Sequence, residues 1–400
     1  MNLVEKQVIK LLDGVIHEYK VDLEENVEWE KLIEEGNAHK VEGLIYYAIN
    51  EKSLQNIDKD ILKQWKLTTF NTAVTQMQHI RDISDMLKVY NESNLSVIVL
   101  KGLVIRELYS RPELRSMCDA DLLVNKEDLE QAEELLIQNG YRLIESSVMH
   151  HTYYKNNTVV ELHWVITNEK YFEGIPKIEE SIWENAIEVN VGESKALSMD
   201  NEDLAVHLCL HMATHLINRG FGIRQICDLV LLVDKKYDLI DWDSFMEKIC
   251  LCKIETFTKV IFAVCNELFN MKIPVQLRCN IKQNLVEELI ADIFSNGVHG
   301  KRDEAVAMAK QMAYEKASTN ESNISVFKRY FNVLFPKVHT MSYKFDYAKK
   351  HKILTPVAWI HHFVIWAFSS DYNIKDKMKF TTSAISISKK RNNLIKKLEL

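Results

Sequence analysis

The chain has 400 residues, enough for two or three domains and a large core. Hydrophobic residues make up 47% and charged residues 27%, ordinary values for a globular protein, and the net charge of −7 excludes the basic balance of a general nucleic-acid binder. Eleven glycines and five prolines are few for this length, which favours long helices over a turn-rich β architecture.

The first 93 residues predict an all-helical segment, with apolar residues at helical spacing over 4–19, 29–35, 41–49 and 57–91. In the last of these, Ile61, Trp65, Leu67, Phe70, Val74, Met77 and Ile80 supply most of an apolar side expected to pack on a following sheet. The acidic start of the chain carries no signal-peptide pattern.

The most informative stretch begins at Leu95. The β-branched run from Val97 to Val99 predicts a buried strand that stops at Lys101-Gly102, and helical spacing resumes from Leu103 to Tyr109. Such a strand, glycine turn and helix offer backbone N–H groups to a phosphate, and Lys101 adds positive charge there. Asp119 and Asp121 follow, at the mouth of Leu122-Leu-Val124. Side chains two apart on a strand share a face, so the two carboxylates converge and suit a hard cation such as Mg²⁺.

Residues 126–139 predict an amphipathic helix ended by Asn139-Gly140. A strand is expected at 141–144, then a hairpin pairing 150–154 with 158–164 through Asn156-Asn157. On its second strand Glu161 and His163 share a face, and Glu161 supplies a third carboxylate. The plainer alternative is that Asp119 caps a turn, Asp121 is solvated, and Glu161 with His163 forms an ordinary exposed strand face.

Leu100-Lys101-Gly102, Leu108-Tyr109, Arg115, Asp119-Ala-Asp121 with Leu-Leu-Val, Gly140-Tyr141 and Glu161-Leu-His163-Trp164 together resemble a poorly characterised bacterial nucleotidyltransferase family of the polymerase-β superfamily. The resemblance is strong over 95–164 and weaker over the flanking helices. It implies a small mixed sheet carrying three carboxylates, a two-metal Mg²⁺ site and a bound nucleoside triphosphate. Asp119 and Asp121 would bridge the metals, and Glu161 would hold the one nearest the acceptor and help take its proton. Lys101 and Arg115 would face the phosphates, and Gly102 would allow close backbone approach. The superfamily's usual Gly-Ser in this turn is Lys101-Gly102 here.

After Trp164 a connector runs to Val191, with a short helix expected around 182–186, and Ser198 to Asp203 resembles an acidic helix start. On that helix His207, His211 and His215 recur every four residues and share one stripe. It reads as a packed stripe facing the cleft, as a metal site, or as plain surface. His211 is paired in expectation with Asp228 on the next helix, since a carboxylate can orient an imidazole and keep it charged. The adjacent His-Asp of an HD-type phosphohydrolase does not occur in this stretch.

Further helices are expected at 242–252, 256–270, 283–294, 302–316 and 343–352, with a polar loop at 318–325. Residues 353–368 are too short, and interrupted by Pro356 and His361-His362, for a spanning helix, so no transmembrane segment is expected. The basic stretch 375–400 predicts a solvated helix, or a contact with anionic lipid, RNA or an acidic partner. The seven cysteines are odd in number and sit mostly in apolar runs, which predicts free thiols in a reducing, cytoplasmic setting. Cys118 is expected to point into the core, and Cys250-Leu-Cys252 lacks a second pair for zinc.

These readings converge on an α+β protein. A minimal nucleotidyltransferase core at 94–195 is flanked by the helical segment 1–93 and a helical domain at 196–400. The expected activity is Mg²⁺-dependent transfer of a nucleoside monophosphate from an NTP, ATP first, to a small molecule, saccharide, peptide or protein. Two alternatives remain: a non-catalytic binding or regulatory protein on the same fold, and a metal-dependent hydrolase using the histidine stripe.

Overall fold

The computed structural model describes residues 1–23, 26–218, 220–297, 347–348, 352–368 and 389–400. The chain divides into two compact units, one comprising 1–216, 220–299 and 396–400, the other 217–219 and 300–395.

The first unit opens with α1 (Leu3–Ile16), whose start is fixed by a reciprocal cap between Asn2 and Glu5. α2 (Trp29–Ala38) and α3 (Glu42–Ala48) follow, then the 34-residue α4 (Lys59–Glu92), capped by Asp58. Only part of the apolar side expected of α4 is buried: Trp65 is, and Ile80 packs against the core. Leu67, Phe70, Val74 and Met77 are 49–64% exposed, whereas Trp65, Thr69, Gln76, His79, Ile83, Met86, Leu87 and Tyr90 are buried. Both sets recur at helical spacing, so periodicity alone does not choose between them. The buried stripe wins through specific partners. Trp65 Nε1 donates to the Glu42 carbonyl, and Gln76 exchanges two hydrogen bonds with the Met117 backbone.

A seven-stranded mixed sheet follows, in the order β3-β4-β5-β2-β1-β7-β6. Its strands are β1 (Ile98–Val99), β2 (Ala120–Leu123), β3 (Arg142–Ser146), β4 (His150–Lys155), β5 (Thr158–His163), β6 (Ile187–Val191) and β7 (Ser194–Ser198). The expected helix after Gly102 is one turn, α5 (Gly102–Ile105), continued as 3₁₀ over Arg106–Leu108. α6 (Leu129–Gln138) starts later than its apolar pattern suggested. The connector contains more than a helix. After α7 (Ile175–Glu184), the hairpin β6–β7 adds the far edge of the sheet, with β7 parallel to β1 and spanning residue 195. Its turn at Gly192 has φ +58°. β6 is mostly exposed, although Ile187-Glu-Val-Asn-Val191 alternates apolar and polar residues as a half-buried strand does, so the sequence did carry a signal for it.

One face of the sheet is the core. Val99, Ala120, Leu122, Val160 and Leu162 pack there with Ile83, Met86, Leu87 and Tyr90 of α4 and with Ala132 and Leu136 of α6. Alternation then sends Asp121, Glu161 and His163 to the opposite face.

Beyond the sheet come α8 (Asn201–Asn218), α9 (Ile223–Lys236), α10 (Trp242–Leu251), α11 (Glu255–Phe269) and α12 (Gln283–Asn296). The acidic start of α8 is as expected, with Asp200 accepting from the Asp203 amide at 2.7 Å.

In the second unit Thr355–Phe368 is a helix, preceded by a 3₁₀ turn at Lys352–Leu354. Pro356 fits because the first helical turn needs no donor from it. Ala348 and Ala358 are buried together, and Tyr347 OH meets His361 Nδ1 at 3.2 Å. The helix expected at 302–316, the loop at 318–325, most of the helix expected at 343–352 and residues 375–388 of the basic stretch lie outside the described residues. Among the described residues no helix is long and apolar enough to cross a membrane. None of the seven cysteines is in a disulfide, and Cys118 is exposed rather than turned into the core.

Candidate active site

β2 and β5 run parallel with Asp121 opposite Glu161 and Leu123 opposite His163. The two carboxylates therefore stand side by side on the face away from the core. Asp119, two residues before Asp121, is partly exposed at the entry to β2. Its carboxyl is pushed up to about 6, first by burial and then by the negative charges of Asp121 and Glu161. Three carboxylates thus act on one another across this face.

Asp121 behaves in the opposite way. Burial works against its charge, yet Lys101 and His163 override it and hold the carboxyl well below the usual range. Lys101 Nζ donates to Asp121 Oδ1 at 3.1 Å, and the His163 ring donates to the same oxygen at 3.0 Å. His163 Nε2 also lies 3.3 Å from Glu161 Oε2. Burial opposes charge on Lys101 too, but Asp121, Asp119 and Glu161 together favour the ammonium.

The turn after β1 holds Lys101 at φ +44°, a strained value for a side-chain-bearing residue, and such strain persists only where surroundings enforce it. The amides of Leu103, Val104 and Ile105 are already bonded to the carbonyls of Leu100 and Lys101. The expected row of free N–H groups is therefore absent here, and the positive charge at this turn is the Lys101 side chain. Gly102 does permit a close approach, but of protein. A Cβ there would stand 2.6 Å from both Arg115 Nη1 and Met117 Sδ.

Arg115, expected to face phosphates, is buried and forms a two-point ion pair with Asp228 of α9. Tyr109 OH donates to the same carboxylate at 2.8 Å. The expected His211–Asp228 pairing does not form, because Arg115 and Tyr109 occupy both oxygens of Asp228. His211 instead meets His215, Nε2 to Nε2 at 2.9 Å, and lies 3.4 Å from Gln225. Burial drives His211 well below the usual histidine range, with Lys101 and His215 adding to it. His207 is fully buried, with neither ring nitrogen hydrogen-bonded. Its pKa falls to about 3 through burial and then the Lys101 charge. His207 and His211 are thus held in the neutral form, with His207 buried and His211 and His215 partly so, and the stripe forms no metal-ligand group among the described residues.

The residues that could hold a divalent cation are elsewhere. Asp119, Asp121 and Glu161 offer carboxylate oxygens, the donor set that a hard ion such as Mg²⁺ takes. His150, Glu161 and His163 bring three ligand atoms within 4.8 Å of one another. His150 was not expected from the sequence, although a signal was present. A two-residue turn at Asn156-Asn157 pairs Lys155 with Thr158, and counting back along both strands places His150 opposite His163.

A family profile described as uncharacterised nucleotidyltransferase matches residues 25–270. Two solved structures are similar. The solution structure of the antibiotic-resistance factor ANT(2'')-Ia is 15% identical, over 40% of this chain and 85% of that one, with a TM-score of 0.32. The crystal structure of ANT(2'')-Ia in complex with adenylyl-2''-tobramycin is 14% identical, over 43% and 94%, with a TM-score of 0.33. No curated protein matches the sequence. With more than half of its length matched by that profile, the chain belongs to the uncharacterised nucleotidyltransferase family.

Proposed function

We propose that this chain transfers a nucleoside monophosphate from a nucleoside triphosphate, ATP in the first instance, to a hydroxyl or phosphate of an acceptor. The acceptor is a small molecule, saccharide, peptide or protein side chain. The net charge of −7 gives no support to nucleic acid. The observation that carries the reading is the register of Asp121 with Glu161 on adjacent strands, with Asp119 titrating under the influence of both.

Asp119, Asp121 and Glu161 would hold Mg²⁺, which when bound neutralises phosphate charge and acidifies the attacking hydroxyl. The remaining work falls to side chains of the chain itself. Lys101 is poised beside Asp121 to meet a phosphate oxygen with a fixed positive charge. His163 anchors Asp121 and Glu161 in one orientation. Glu161 would accept the acceptor's proton. Arg115, committed to Asp228, positions the segment leading to Asp119 rather than touching the nucleotide.

Calorimetric titration with each of the four NTPs, with and without Mg²⁺, tests the reading. Mg²⁺-dependent binding that is lost in the Asp119→Asn/Asp121→Asn double variant is the expected result. Absence of binding to every NTP would overturn it and leave a non-catalytic scaffold.

A further inference from the structure

The histidines around Glu161 carry a consequence for which cation this face selects. His150 on β4 and His163 on β5 are cross-strand partners, with ring centroids 4.7 Å apart. The Glu161 carboxylate lies between them. One oxygen is 3.3 Å from His163 Nε2 and the other is 3.9 Å from His150 Nε2. His150 Nδ1 is a buried nitrogen with no hydrogen-bond partner. Ligand atoms bonded to a tetrahedral cation at about 2.1 Å stand roughly 3.4 Å apart, so a small rotation of His150 closes the set once His163 Nε2 gives up the proton it donates to Asp121 in the metal-free chain.

We propose that His150, Glu161 and His163 form a nitrogen-bearing cation seat beside the aspartate pair, one that takes a divalent transition cation (Mn²⁺, Co²⁺ or Zn²⁺) in preference to Mg²⁺. Two imidazoles with one carboxylate are a donor set of zinc and related ions. Mg²⁺ retains water and oxygen ligands and gains little from imidazole. Asp119 and Asp121 remain as the all-oxygen set, and Glu161 is shared. For its role in catalysis the seat rests on the transferase reading. Its occupancy does not, and can be measured without nucleotide.

Co²⁺ titrated into the full-length, metal-free chain serves as the probe, read by visible absorption, since nitrogen-liganded Co²⁺ of low coordination number absorbs far more strongly than octahedral oxygen-liganded Co²⁺. The expected result is one strongly absorbing Co²⁺ per chain that excess Mg²⁺ does not displace. His150→Ala should weaken it at least about tenfold, as should His163→Gln, while Asp119→Asn retains it. His150 is only half-buried, so its variant carries the test even if His163→Gln fails to fold. An unchanged spectrum in His150→Ala, displacement by Mg²⁺, or no strong absorption would overturn the proposal. NTP binding that still requires the aspartates in that event would leave the transferase reading standing. A Co²⁺ seat with no NTP binding would do the reverse.

Discussion

Asp119 and Asp121 are two residues apart and titrate in opposite directions, so replacing each by asparagine has opposite consequences for stability. The folded chain raises Asp119 to about 6, against about 4 for an unfolded aspartate. The favourable neutral form is fully populated below about pH 4 and is lost as pH rises through 6. At pH 8 the ionised group is a net cost. Two pKa units are worth about 3 kcal/mol, and partial exposure reduces this to about 1 kcal/mol. Asp119→Asn should therefore stabilise the metal-free protein by about 1 kcal/mol at pH 8 and leave it unchanged near pH 4, read from urea unfolding with chelator present. For Asp121, held below the usual range, the stabilisation is present above about pH 4 and disappears as pH falls through its depressed value. Asp121→Asn should cost about 2 kcal/mol at pH 8, because the oxygen shared by Lys101 and His163 loses its negative charge. Equal effects from both variants would sink the preference of Lys101 and His163 for Asp121 over Asp119.

At the scale of elements, α9 and the segment before β2 are tied by one carboxylate. Asp228 carries the Arg115 pair and the Tyr109 hydrogen bond, and all three side chains are buried. Asp228→Ala strands a buried guanidinium and should cost about 3–5 kcal/mol, with nucleotide affinity falling in parallel as the Asp119 segment loosens. Retained affinity in a folded Asp228→Ala protein would remove Arg115 from the positioning role. α4 makes a second case. Ile83→Ala should cost about 3 kcal/mol, whereas Phe70→Gln, at an exposed position, should change stability by less than about 0.5 kcal/mol. Comparing their urea midpoints checks which stripe packs. The same elements mark how far the residues alone could lead. The Asp119, Asp121 and Glu161 set was legible because period-2 alternation and an apolar run define a strand face. The buried stripe of α4 was not, since Gln76 and Ser84 earn their places through partners about 40 and 110 residues away. Nor was the Arg115–Asp228 pair, which joins residues 113 apart, so that the residues alone assigned Arg115 to the phosphates and Asp228 to His211.

At the scale of the whole molecule, residues 396–400 belong to the first unit, far along the chain from the sheet. The basic end of the sequence suggested a solvated helix or an anionic surface contact. Here Lys397 pairs with both oxygens of Glu288 on α12, and Glu399 accepts from Thr256 Oγ1 on α11. Leu398 between them has no exposed surface. The two polar contacts are exposed, and exposed ion pairs contribute about 0–1 kcal/mol. The apolar side chain is the stronger tie, since truncating a fully buried leucine costs about 2–4 kcal/mol. Leu398→Ala should therefore lower the unfolding temperature of the first unit by roughly 3–6 °C, and Lys397→Ala by roughly 2 °C or less. Thermal unfolding followed by circular dichroism separates the two. A larger loss from Lys397→Ala than from Leu398→Ala would mean that charge, not burial, holds residues 396–400 in place. Because neither side chain lies near Asp119, Asp121 or Glu161 in sequence or in the strand register, the folded Leu398→Ala protein should bind NTP and Mg²⁺ as the parent does below its transition. That separates a stability defect from a site defect in the same molecule.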